Sequence, residues 1–145
     1  AFAAVDCTGH GVPGAFMSMI GNQLLHDIID ARGENRPDRI LHQMHEGIRK
    51  VLRQQETANQ DGMDMSLCVI DHRQKRIHFG GAKNPLLYIA NGEMNHVSGS
   101  KFSIGGKEMG KERTYEACEI SYAEQPVCCY LFSDGYPDQF GGDEG

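Results

Sequence analysis

The stretch that decides the reading is Asp6–Gly21, DCTGHGVPGAFMSMIG, in which an apolar run, Phe2–Val5, delivers a carboxylate into a Thr-Gly-His-Gly turn. A proline and a second apolar run follow at once. Pro13 suits the first turn of a helix, and Met17, Ile20, Leu24 and Ile28 then recur at helical spacing until Gly33. A strand, a tight acidic loop and a helix are therefore expected in quick succession. Asp6 has two uses here, capping the helix or holding a cation, and alone it favours the cap because Asp is a preferred N-cap and turn residue.

Working outward, Asn35 and Pro37 open a second helix with Leu41, Met44, Ile48 and Leu52 on one face. Both helices are expected to be amphipathic, with Met17 and Met19 as adaptable core packing in the first. His42 and His45 are three apart, not the four that bring two imidazoles onto one zinc, so both are expected on the surface. After Asn59, Gln60 and Asp61 the period shortens. Met65–Ile70, Ile77–Phe79, Leu86–Ile89 and Met94–Val97 read as an antiparallel meander with an Asn91-Gly92 hairpin turn. Ser98–Arg113 reads as a long loop, Tyr115–Tyr122 and Val127–Phe132 as further strands, and Asp138 and Gln139 as a first helical turn. The order predicts an α+β layered domain with helices on antiparallel sheet.

The 145 residues suffice for one domain with a modest core. With 39% hydrophobic and 23% charged residues and no apolar run near the roughly 18 a span needs, no membrane contact is expected. A net charge of −6 with scattered Lys and Arg excludes the footprint of a nucleic-acid binder. Five cysteines, two of them the adjacent Cys128 and Cys129, read as reduced thiols, and with no leader before Ala1 a cytoplasmic location is expected. The absence of a start methionine points to a piece of a longer chain.

A second apolar run, from Tyr130, also ends in an acidic turn, Ser133-Asp134-Gly135. Carboxylates at two strand ends can meet at one rim of a sheet, where hard divalent cations take oxygen ligands. Other candidates are weaker. Asp64 is an outer metal ligand or substrate contact, or else a turn or edge residue; Lys83 and Asn84 reach substrate phosphate or merely initiate a turn. Cys7, just ahead of a helix, is open to a thiol role, which would make the chain a redox protein.

Four stretches in order, DCTGHGVPGAFMSMIG, DGMDMSLCVID, GGAKNPLLYI and YLFSDGYPDQFGG, spanning Asp6–Gly142, resemble the SpoIIE-type (RsbU-like) bacterial Ser/Thr phosphatases, a branch of the metal-dependent protein phosphatase 2C-like (PPM) class. The resemblance implies a four-layer αββα sandwich, here truncated at both ends, with residues 1–145 as one partial phosphatase domain. It implies that Asp6 bridges two Mn²⁺ or Mg²⁺ ions, that the backbone carbonyl of Cys7 binds one, and that Asp134 binds the second. A metal-held hydroxide would then attack the phosphorus of phosphoserine or phosphothreonine in line. Gly9 and Gly11 would let the backbone pass beneath the ions without crowding them; His10, in the same loop, is a candidate contact to phosphate or leaving group from its place alone, since the family varies at this position. The implied substrate is a phosphorylated STAS-domain anti-sigma-factor antagonist in a partner-switching pathway, with a sensor or response-regulator domain upstream in the same polypeptide. Two departures are visible. The family's acidic ligands from an earlier strand and from a later one lie outside this sequence, and Gln125-Pro126 stands where the family has a Gly-Asp turn. The alternative is a phosphatase-like binding module with impaired catalysis.

Overall fold

The computed structural model describes residues 1–106, 112–135 and 141. The chain runs β1 (Phe2–Cys7), α1 (Gly11–His26), a π-helical turn over Asp27–Ala31, α2 (Pro37–Val51), β2 (Gly62–Asp71), β3 (Arg76–Ala82), β4 (Leu86–Ala90), β5 (Glu93–Val97), β6 (Ile104–Gly105), β7 (Ala117–Ser121) and β8 (Cys128–Tyr130). Among the described residues β1-β2-β3-β7 form one antiparallel sheet, with β6 also on β2, and β5-β4-β8 form a second. The expected single meander is thus broken between β3 and β4. The chain leaves one sheet there for the other, while β4 and β5 keep the predicted Asn91-Gly92 turn with both residues at positive φ, 54° and 77°.

Period-two alternation along β2 sorts the molecule into layers. Met63, Met65, Leu67 and Val69 face the helices and join Ile40, Leu41, Met44 and Ile48 of α2 in one core. Cys68 and Ile70 face the second sheet and join Phe79, Leu86 and Ile120 in another. Helices, first sheet and second sheet therefore stack in that order, as expected of this class of sandwich. Residues beyond Gly135, including Asp138 and Gln139 with their expected helical turn, lie outside the described set apart from Gly141.

The two helices differ. Pro37 begins α2, which buries Ile40, Leu41, Met44, His45 and Ile48 as one stripe. His45 is fully buried, contrary to the surface position expected, because it shares that stripe with Leu41 and Ile48 at spacings of four and three. His42 is exposed as expected. In α1, by contrast, only Met17 and Gly21 are buried, and Val12, Phe16 and Met19 lie on the outside. Met17 and Met19 cannot share a face, since two residues advance a helix by about 200°.

The predicted loop Ser98–Arg113 contains β6, whose Ile104 is fully buried against the Gly62–Met63 end of β2. Gly81 explains another close approach, as a Cβ there would lie 2.3 Å from the Asn84 carbonyl oxygen. The chain folds back on itself between β3 and β4 only because that position is bare. Core and surface predict different costs for aromatic truncation. Phe79→Ala should lower unfolding free energy by about 3–5 kcal/mol and Phe16→Ser by less than about 0.5 kcal/mol, as read from urea denaturation.

Candidate metal centre

Strand pairing places Asp6 directly opposite Asp64. By alternation both side chains lie on the face of the first sheet that looks toward the second, at the end of the inter-sheet layer. Asp6 is inside β1 rather than at its tip, and Asp64 is inside the central strand β2, which rules out the edge position considered for it. The Thr8 amide donates to the Gly62 carbonyl at 2.9 Å and the Gly62 amide to Thr8 Oγ1 at 3.1 Å, which ties the two strand ends together.

The third carboxylate arrives from the other sheet. β8 stops at Tyr130, so Asp134 sits in a turn four residues beyond it rather than at the strand's end. The convergence is therefore at the rim of a sandwich, not of one sheet as expected. Asp6 and Asp134 share a side-chain hydrogen bond, and this contact is the main reason the Asp6 carboxyl holds its proton above the ordinary aspartate range. Burial and the charges of Asp134 and Asp64 push the same way, while a hydrogen bond with the Ser133 side chain opposes them. Ser133 escaped the sequence reading although it adjoins Asp134.

Lys83 Nζ stands 3.5 Å from Asp64 Oδ2 and draws that carboxylate into an ion pair. Lys83 itself is at positive φ, 61°, with its amide donating to the Ser100 carbonyl at 2.7 Å. Asn84 is not brought in: its side-chain nitrogen is buried without a hydrogen-bond partner. His10 is exposed at the start of α1, where its side chain makes no capping hydrogen bond. Cys7 points the other way along the alternation, toward α1, where its sulfur accepts from Ser18 Oγ at 3.6 Å. Only its backbone remains on the carboxylate side.

Gly9 and Gly11 have φ values of 89° and 64°, yet a Cβ at either would meet nothing within 4 Å. Both adopt the left-handed backbone region that side chains rarely enter, so conformation alone calls for glycine at each. The donor set is all hard oxygen, which suits Mg²⁺ or Mn²⁺ and not zinc or copper. Among the described residues no group of three or more His, Cys, Asp or Glu is placed to hold an ion by itself.

The family model described as Stage II sporulation protein E (SpoIIE) matches residues 1–145. The chain belongs to the SpoIIE family. Its fold superposes on the SiaA-PP2C domain of Pseudomonas aeruginosa with a TM-score of 0.81 and 32% identity, covering 99% of this chain and 54% of that one. It is also similar to the PP2C phosphatase domain of SpoIIE from Bacillus subtilis, at a TM-score of 0.68 and 19% identity over 92% of this chain and 36% of that chain, which includes a fragment of the regulatory domain. The catalytic domain of the serine/threonine phosphatase PstP, in complex with two manganese ions, matches at a TM-score of 0.65 and 15% identity over 98% of this chain and 70% of that one. The chain thus spans about half the length of the SiaA domain. No curated protein matches it, and no helix among the described residues is long and apolar enough to cross a membrane.

A carboxyl whose proton affinity is raised in the fold stabilises the folded state below its pKa, and that contribution is lost as pH rises through it. Asp6→Asn imitates the protonated form. Without metal at pH 7 it should raise Tm by about 2–4 °C, and the gain should shrink as acid protonates Asp6 in the parent chain. Added Mn²⁺ should raise the Tm of the parent and not of the variant, as checked by calorimetry.

Proposed function

We propose that this chain carries the catalytic face of a metal-dependent phosphoprotein phosphatase acting on phosphoserine or phosphothreonine. The observation that supports it best is the meeting of Asp6 and Asp134 from two different sheets, at a cost in charge repulsion that nothing in the packing requires. A SpoIIE-family chain with oxygen donors at that point is suited to the ions named for the manganese-bound PstP domain.

In this reading Asp6, Asp134 and the Cys7 backbone carbonyl hold two Mn²⁺ or Mg²⁺ ions. When bound, such ions lower the pKa of water and neutralise charge developing on phosphorus oxygens. The chain's own groups prepare the place. The Ser133 hydroxyl orients the Asp6 carboxylate, and Lys83 cancels the charge of Asp64 so that the carboxylate rim does not repel an incoming phosphate. His10 stands at the open side, where it contacts the substrate. The substrate is a phosphorylated STAS-type antagonist, and a sensor or response-regulator domain elsewhere in the polypeptide controls access to the site, in the cytoplasm.

That no three described acidic, histidine or cysteine residues are placed to hold an ion together favours a second reading, a phosphatase-like binding module. Hydrolysis of p-nitrophenyl phosphate with and without Mn²⁺ decides between them. The phosphatase reading expects a rate that EDTA removes and that Asp134→Asn lowers about 100-fold; no hydrolysis at saturating Mn²⁺, with phosphopeptide binding intact, would favour the module.

A further inference from the structure

Beside the carboxylates lies a second concavity of about 230 Å³, lined in part by Thr8, Lys83, Lys101, Gly106 and Arg113, with no carboxylate among its described lining residues. In a chain of net charge −6, Lys83, Lys101 and Arg113 gather around one hollow, Lys83 while paired with Asp64 beside it. A concave wall also focuses their field. Thr8 lies two residues from Asp6, and Lys83 reaches Asp64, so the hollow adjoins the candidate centre.

Its wall is held rigidly by groups that the candidate centre does not use. The Gly105 amide donates to Nδ1 of the fully buried His45 at 3.0 Å, and the Gly106 amide donates to Oε1 of the buried Gln54 at 2.8 Å. Gln54 Nε2 in turn donates to the Asp61 carbonyl at 2.6 Å and to Asn59 Oδ1 at 2.9 Å. Arg113 donates to the Ser103 carbonyl at 2.7 Å and lies over the Phe102 ring at 5.8 Å, so its charge is fixed at the edge of the hollow. Two buried polar side chains committed to one short loop mark a preorganised surface. Lys101 is exposed on it, and the Lys83 side chain is 53% accessible despite its ion pair.

We infer that this hollow is a specificity subsite that takes an acidic side chain flanking the phosphorylated residue of a protein substrate, with Lys101 and Lys83 as its charged contacts. The inference rests on the phosphatase reading and deepens it. Lys83 lines the hollow and stands 3.5 Å from Asp64, so the acidic side chain belongs to a residue near the phosphoresidue in the peptide. Lysine ammonium groups, compact and mobile, suit a variable carboxylate better than a fixed bidentate clamp would.

The test uses three phosphothreonine peptides of one sequence, flanked on both sides by Asp, Gln or Lys, with kcat/KM measured on the full chain in Mn²⁺. Binding of non-hydrolysable phosphonate versions is read by fluorescence anisotropy without added metal. The Asp-flanked peptide should exceed the Gln-flanked one by about fivefold to tenfold in both measurements, and the margin should narrow in 0.5 M salt. Lys101→Glu should reverse the order in favour of the Lys-flanked peptide. Equal values for all three peptides would overturn the subsite while leaving the phosphatase reading intact. An equal loss for all three in Lys101→Glu would assign the hollow to the phosphoryl group instead, and overturn it too. Ordered binding without any hydrolysis would support the subsite and remove the phosphatase reading.

Discussion

Three carboxylates facing one another govern this molecule. Asp6 and Asp64 are direct cross-strand partners, and Asp134 is carried to them from a second sheet. Like charges placed opposite each other on a sheet destabilise it, and the structure relieves the strain in two ways. Contact with Asp134 raises the proton affinity of Asp6, and Lys83 pairs with Asp64. Both devices oppose the same crowding of negative charge that a bound divalent cation would neutralise.

The layered fold supplies this confrontation as a by-product of alternation. On β2 the odd residues Met63, Met65 and Leu67 belong to the helix-side core, while the even residue Cys68 belongs to the inter-sheet core. Asp64 shares the parity of Cys68, and its partner Asp6 follows it to the same side. At the middle of the sandwich that side is filled by apolar groups such as Phe79 and Leu86. Only at the end of the strands, where the packing opens, is there room for oxygens and water. The site therefore sits where it does because the same face that must be apolar inside is free to be acidic at its rim.

A second polar system supports the first from behind. His45 and Gln54 are buried and each accepts a backbone amide of the loop that carries β6, and that loop pairs with the start of β2, two residues from Asp64. Buried polar groups of this kind are costly unless paired, so their pairing fixes the loop in one position. The carboxylate rim and the basic hollow beside it thus share a single support and meet at one ion pair, Lys83 with Asp64.

Much was legible from the residues alone. The first-turn prolines Pro13 and Pro37, the hairpin at Asn91-Gly92 and the strands leading to Asp6 and Asp134 all follow from local chemistry, because backbone preference and side-chain period act over a few residues. The ordered motifs around those residues also identified the family, which the matched model spans. What local chemistry could not decide was partnership across the chain. The division of the meander into two sheets, the placing of Asp64 opposite Asp6, the burial of His45 and the strand within Ser98–Arg113 depend on contacts between residues tens of positions apart. Such contacts are set by which apolar faces close upon one another, and only the assembled layers determine that.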